Sequence, residues 1–277
     1  MLSLHTNNAA LSAQNSIGRT QSALSTSMTR LSTGYRINSA MDDAAGLQIA
    51  TRLKSQTSGM AVAMRNAQNS TSMLQTAGGA LTEVTNMMIR MKDLATQSAD
   101  QSSSDADRTA IQAEFSSLAS EVNNIMTKTT FGGQNLFTGT LAADMQFQTG
   151  AADDDIWTLD VHTKELADVT DAVADIVADD VSDLAGSTAA ITNLTDALNA
   201  VGALNSALGA ASNRLEHVYN NLSNISTNVQ AATGRIMDVD FAAESANMSS
   251  KQMLMQAGTA MLKQSNSMSS MVMSLLQ

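Results

Sequence analysis

Apolar residues step along most of this chain at alternating intervals of three and four, the period that gathers side chains on one face of an α-helix. Leu74, Ala77, Leu81, Val84, Met88, Met91 and Ala95 keep the step unbroken, and Ile111, Phe115, Leu118, Val122 and Ile125 repeat it. Leu215, Val218, Leu222, Ile225, Val229, Ala232 and Ile236 form a third seam. Near the C-terminus Leu254, Ala257, Met261, Gln264, Met268, Met271 and Leu275 carry it through one polar break. At the other end Leu4 and Leu11, then Ile17, Leu24 and Leu31, stand seven apart. The pattern predicts a mainly α fold of long helices in a coiled-coil-like bundle, with an amphipathic helix at each end of the chain.

Local signals place the boundaries. Ser39 with Asp42 reads as a capping box opening a helix that runs to about Asp100, with Asp42 and Asp43 at the positive end of its dipole. Gln101 to Ser104 reads as a turn, and Ser104 with Asp107 caps a helix to about Lys128. Phe131-Gly132-Gly133 then breaks the helical pattern. Met145 and Phe147, and Ile156, Trp157, Leu159 and Val161, read as short strands around Thr149-Gly150-Ala151-Ala152, a small β-hairpin. Leu166, Val169, Val173, Ile176 and Val177 suggest an acidic helix or loop, and a last long helix starts near Thr188 and reaches about Arg235. Gly78-Gly79 lies inside the first long helix, where each glycine costs about 1 kcal/mol against alanine. Close packing is the simpler explanation and a hinge the other.

Composition sharpens this picture. The 277 residues include no proline, no cysteine and 19 methionines. Average usage would give roughly 14 prolines, and their absence suits long helices with few sharp corners. Without cysteine there are no disulfides or thiolate sites. Only 3% of residues are aromatic, which does not suit a conventional enzyme core of this size. The net charge of −11 is concentrated: between Asp144 and Asp196 thirteen acidic residues face one base, Lys164, while both flanks are nearly neutral. Such a surface argues against nucleic acid as a partner. It reads as a solvated exterior, so deleting 166–185 is expected to alter mainly surface charge. No stretch approaches the roughly 20 apolar residues of a membrane span, and Met1 to Leu11 lacks the basic start and apolar run of a secretory signal.

Candidate chemistry is sparse. His5, His162 and His217 stand alone, Asp153-Asp154-Asp155 lacks the spacing of a calcium loop, and no nucleophile elbow or phosphate loop occurs. The chain is expected to be no enzyme and to need no cofactor or metal. Seven of the methionines, from Met248 to Met273, crowd into the C-terminal stretch. Thioethers fill irregular gaps, so they read as core filler or as a contact surface that accepts more than one packing.

Particular segments do point to a family. Arg30-Leu-Ser-Thr-Gly-Tyr-Arg-Ile-Asn-Ser-Ala-Met-Asp-Asp-Ala-Ala-Gly46 closely resembles the signature of bacterial flagellins. Asp93 to Ser98, Ile111 to Glu114, Asn213-Arg214-Leu215, Asn220-Asn221-Leu222, Asp238 to Phe241, Asn247-Met248-Ser249, Gln256 to Thr259 and Ser274-Leu275-Leu276 are similar to further flagellin segments in the same order. The resemblance covers roughly 1–137 and 197–277. Ser269 stands where many relatives have proline, and the chain ends on Gln277 rather than a basic residue.

The resemblance implies a secreted structural subunit that polymerises into the extracellular flagellar filament after type III export. The alternative is a hook–filament junction protein. It implies that 1–40 and 240–277 pair as the inner filament tube, with Leu4, Leu11, Leu24, Leu31, Leu254, Met261, Met268 and Leu275 packing there. A helical outer core would span 41–239 with its hairpin and a short acidic insert at about 138–196, as in short lateral or swarming flagellins. Implied partners are other copies of the chain, an export chaperone, cap and hook-junction proteins, and the vertebrate Toll-like receptor that detects flagellin. Arg90, Leu94 and Glu114 fall at the family's receptor-recognition and inter-subunit positions. No nucleic-acid or membrane partner is implied.

Overall fold

The computed structural model describes residues 7–275, with side chains described except at 162, 163 and 269–275. Six α-helices dominate: α1 (Asn8–Thr33), α2 (Ala44–Ser98), α3 (Asp105–Lys128), α4 (Ala167–Ala178), α5 (Leu184–Met237) and α6 (Phe241–Leu275). Two small antiparallel strand pairs interrupt them, β1 (Thr130–Phe131) with β2 (Gln134–Asn135) and β3 (Met145–Gln148) with β4 (Ile156–Leu159). The chain divides into two compact units, 1–55 with 227–277, and 56–226. The expected boundaries at 40 and 240 lie nearer the chain ends than these.

The unit spanning 56–226 is built on one apolar core. Along α2 the buried positions run Met60, Ala63, Ala67, Leu74, Ala77, Leu81, Val84, Met88, Met91 and Ala95, a three-four seam far longer than the one visible from Leu74 onward. Small Ala63 and Ala67 hide its first turns from a hydrophobicity reading. The α3 seam keeps Ile111, Phe115 and Val122, with Phe115 at 1% exposure at its centre, but Ala119 and Met126 are buried where Leu118 and Ile125 were expected, and those two are only partly covered. On α5 the seam is Ala190, Leu194, Ala197, Val201, Leu204, Leu208, Ala211 and Leu215, again alanine-rich. Ser98 Oγ donates to the Val181 carbonyl at 2.5 Å, and a Cβ on Gly78 would meet Asn205 Oδ1 at 3.4 Å. These two contacts set α5 antiparallel to α2. Gly78 is therefore a place of close helix packing.

Caps explain the element ends. Ser104 and Asp107 form the expected reciprocal capping box on α3. The Ser39–Asp42 motif does not cap α2: Asp43 does, its Oδ1 accepting from Gly46 N at 2.8 Å, while Asp42 organises the preceding turn. Gly132 and Gly133, at φ 58° and 84°, make the tight turn between β1 and β2, so the break in the helical pattern is a hairpin. In the second hairpin Phe147 stacks on Trp157 with ring centroids 5.2 Å apart. The Arg214 guanidinium of α5 lies over the Trp157 ring, 4.5 Å from its centroid, an attraction that fastens the hairpin to the helix.

The acidic middle is not an appendage. Leu166, Val169, Val173, Ile176 and Val181 are all buried in the core, while the carboxylates of α4 take the outer face. Deleting 166–185 would strip that apolar stripe from α3 and α5. It is therefore a core deletion and not the surface change expected from charge alone.

Asp179 ends α4 under electrostatic strain. Its Oδ1 accepts from Asn193 Nδ2 at 2.8 Å, but Oδ2 is buried without a partner. Burial, and after it the charge of Asp175, pushes this carboxyl above the ordinary aspartate range, against the pull of Asn193. A raised folded-state pKa favours the protonated form, so its contribution to stability is full below the unfolded value of 3.8 and is lost as pH rises through the folded one. Asp179→Asn should melt higher than the parent at neutral pH, by about 2 °C. Thermal melts across pH should show that gain closing as the medium falls toward 3.8 and absent below it. A gain that persists unchanged in acid would remove burial as its origin.

Candidate assembly surface

The unit formed by 1–55 and 227–277 is held by the antiparallel pairing of α1 with α6. An isolated bridge joins Tyr35 to Asp238, with Arg36 N donating to the Met237 carbonyl at 2.6 Å and Val239 N to the Gly34 carbonyl at 3.0 Å. Gly34, at φ 75°, supplies the left-handed residue that ends α1 and lets the chain turn there. At the far end Asn7 caps α1 through Ala10 N, and its Nδ2 donates to the Ser265 carbonyl at 3.1 Å.

Beside the bridge sits a polar clamp. Ser27 Oγ donates to Glu244 Oε1, and both side chains are buried. Arg30 lies 3.9 Å from Glu244 and 3.8 Å from Asp42. Asp42 Oδ2 also accepts from Asn38 N, Ser39 N and Ser39 Oγ. These donors, the Asn38 backbone first, hold the Asp42 carboxyl below the usual carboxylate range. Arg30 thus fastens the end of α1 to the start of α6 and to the 38–43 turn. The resulting turn presents Met41 at 96% exposure.

The α6 seam that meets α1 runs Glu244, Met248, Lys251, Met255, Gly258, Leu262 and Ser265, the positions with reduced exposure at unbroken four-three steps. A Cβ on Gly258 would meet Ile17 Cγ1 at 2.9 Å, so glycine sets the closeness of the two helices. This seam is mixed in polarity. The more apolar stripe read from the sequence lies one residue away, and it faces outward: Leu254 is 54% exposed, Met261 69% and Met268 56%, with Met253 beside them at 64%. On α1, Leu24 is buried on the seam with Ile17 and Leu31 partly covered. Leu11 is exposed, because it falls off the phase of the other three. Leu4 lies outside the described residues, as does the side chain of Leu275. Gln14, Asn15, Gly18, Arg19 and Ser22 line a shallow groove on the outward side of α1.

The three remaining candidates lie in the other unit. Arg90 Nε and Nη2 both donate to Glu114 Oε1, at 3.1 and 2.8 Å, forming an exposed ion pair between α2 and α3. Leu94, one helical turn from Arg90, is buried in the core. The structure joins Arg90 to Glu114 and separates Leu94 from the surface they share.

Helix α6 thus has one mixed seam packed on α1 and a purer apolar stripe left exposed. Each such side chain contributes about 1.5–3 kcal/mol on going from exposed to buried, and roughly half of that is still available to Leu254, Met253, Met261 and Met268. Sequence reasoning found the stripe but not its direction. The signal that would have given the direction is Gly258, whose small size allows a close neighbour only on its own face.

Comparisons with known proteins agree with this geometry. The family model of the bacterial flagellin N-terminal helical region matches residues 4–142, and that of the C-terminal helical region matches 191–276. Most of the acidic middle falls between the two matches. A flagellin of Halalkalibacterium halodurans is 38% identical over 268 residues, covering 97% of both chains. Flagellin A of Vibrio anguillarum is 33% identical over 378 aligned positions covering both chains entirely. Among solved structures, Bacillus cereus flagellin covers 61% of this chain and 94% of its own at a TM-score of 0.50 and 30% identity. A flagellar hook-associated protein from Vibrio parahaemolyticus shares the fold at a TM-score of 0.57 and 18% identity, covering 71% of this chain and 100% of its own.

Proposed function

The chain belongs to the bacterial flagellin family, and from that premise we propose that the outward stripe of α6 is the surface on which its copies join. It is a structural subunit of the extracellular flagellar filament. Its length fits a flagellin without large outer domains. The likeness to a hook-associated protein is one of fold and does not favour the junction role.

The observation that carries the reading is the direction of the apolar stripe. Leu254, Met261 and Met268, with Leu11 on α1, present apolar surface that the chain itself leaves uncovered. In the filament these residues, with Leu4, Leu24, Leu31 and Leu275, form the inner tube built from 1–40 and 240–277, and 41–239 surrounds it. Met41 on its braced turn is a second contact point for a neighbouring copy. The test is seeded elongation by the Leu254→Asp, Met261→Asp chain. Two buried charges at a subunit contact are expected to slow elongation more than about tenfold, since even partial burial of an unpaired charge exceeds 1.4 kcal/mol. The monomer's melting temperature stays unchanged because both positions are exposed. Parental elongation would move the contact off this stripe.

An export chaperone, a cap protein and hook-junction proteins complete the partners that the family relationship suggests. The Toll-like receptor reading narrows to Arg90 and Glu114, whose ion pair is exposed. A receptor carboxylate that captures Arg90 would make a charge-assisted bond, so Arg90→Ala should weaken signalling by monomer about tenfold in a receptor reporter assay. Leu94→Ala should act through stability. Undiminished signalling by Arg90→Ala counts against this face.

A further inference from the structure

The exposed stripe of α6 is a thioether surface. Met253, Met261 and Met268 stand at 64%, 69% and 56% exposure, whereas Met60, Met73, Met88, Met91 and Met126 in the core are at 8% or less. Within one chain, the same chemical group is open three times along the α6 stripe and shut away in the core, with Met28 and Met41 the other exposed thioethers among the described residues. Leucine would supply similar apolar volume at these positions. What methionine adds is a flexible, polarisable contact and a reactive sulfur.

We propose that Met253, Met261 and Met268 are an oxidation site that controls assembly: peroxide converts their thioethers to sulfoxides in the free subunit, and the sulfoxide form does not add to a filament. The sulfur lone pair attacks one oxygen of hydrogen peroxide as the O–O bond breaks. The sulfur is oxidised by two electrons, the peroxide is reduced, and the departing hydroxide takes the proton of the transferred oxygen to leave as water. The product is a strong hydrogen-bond acceptor on a stripe whose Leu254 and Ala257 offer no donor and whose one amide, Gln264, cannot serve three sulfoxides. Burying it there costs free energy as burial of any unpaired polar group does. The filament itself is resistant, because assembly covers the sulfurs. The change is reversible, since methionine sulfoxide reductases return the thioether. This inference rests on the α6 stripe being the subunit contact.

The experiment treats purified full-length subunits and preformed filaments with hydrogen peroxide, maps each methionine by peptide mass spectrometry, and measures seeded elongation. In free subunits the three α6 sulfurs are expected to oxidise about tenfold faster than those of Met73, Met88 and Met91, and in filaments they fall to the slow class. Oxidised subunits lose elongation and regain it after reductase treatment. The Met253→Leu, Met261→Leu, Met268→Leu chain keeps elongating after peroxide even though exposed Met28 and Met41 are oxidised. Should that variant fold but fail to elongate untreated, the reductase arm on the parent decides alone. Unimpaired elongation by fully oxidised parent overturns the inference, as does inhibition that persists in the triple variant. The outcome for Leu254→Asp, Met261→Asp separates the two levels. If it elongates normally, the contact reading fails. If it is blocked while oxidised parent elongates, only the redox inference fails.

Discussion

Removing Met253–Gln277 abolishes filament growth from seeds while the unit spanning 56–226 keeps its fold and its melting transition. The deletion takes away the whole exposed part of the α6 stripe, Leu254, Met261 and Met268 among it. It also removes Met255, Gly258, Leu262 and Ser265, the seam against which the first half of α1 lies. An isolated helix of that length is marginal in water, so the first half of α1 unwinds with the loss of its partner. Far-UV circular dichroism should therefore fall by more than the deleted residues alone would contribute. The core of the other unit is built from buried residues that run from Ala67 to Leu215, none of them in the deleted segment. Elongation at the parental rate would refute the assignment of α6 to the subunit contact. A collapsed melting transition would refute the independence of the two units.

Phe115→Ala has the largest expected effect on stability. Phe115 is 1% exposed on α3, one of only five phenylalanines, and it is among the largest fully buried side chains of a core made mostly from Ala, Leu, Val, Ile and Met. Its truncation should cost about 3–5 kcal/mol, because the surrounding helices relax only partly into the cavity. For a domain of this size that is on the order of a 10 °C fall in melting temperature. Leu11→Ala serves as the control, since Leu11 is half exposed and its loss leaves the melting temperature unchanged. Calorimetry on both variants reads the difference, and a fall of less than about 2 °C for Phe115→Ala, the lower end of the shift that 1 kcal/mol gives a domain of this size, would show that the core closes around the gap.

Much of this architecture was legible in the chain because heptad seams of large side chains declare themselves. The Leu74 to Ala95 run has the burial its spacing implied, and so do Ile111, Phe115 and Val122, while Leu118 and Ile125 are half covered. Where the seam is made of small residues the signal fades. Ala63 and Ala67 on α2, and Ala190, Ala197 and Ala211 on α5, are as buried as any leucine but look neutral to a hydrophobic pattern. Polar residues mislead in the other direction: Ser226 is buried on the α5 seam and neighbouring Ile225 is 37% exposed. The same effect hid the packed face of α6, where Glu244, Lys251, Gly258 and Ser265 make up the seam. Their burial depends on Ser27, Arg30, Ile17 and Asn7, residues more than two hundred positions away, and no local pattern records that.

The ionic turn behaved similarly. Ser39 and Asp42 have the spacing of a capping box, yet Arg30 draws Asp42 toward α1 and α6, and Asp43 takes the capping role. The acidic middle was read from charge, which is a property of one face. The apolar residues at three-four spacing on the other face of α4 were visible but outvoted, and they decide where the segment goes.

The central claim is that the Met261 face of α6, open in the single chain, is closed by other copies in the filament. The chain has no cysteine, so Met261→Cys introduces a single thiol whose reaction with a maleimide can be timed in subunits and in filaments. Asp171→Cys, on the outer face of α4, is the reference. The account predicts that the thiol at 261 reacts readily in the free subunit and more than about tenfold slower in the filament, the change expected when burial exceeds 1.4 kcal/mol, while the thiol at 171 reacts equally in both. Equal reactivity at 261 in subunit and filament would contradict it.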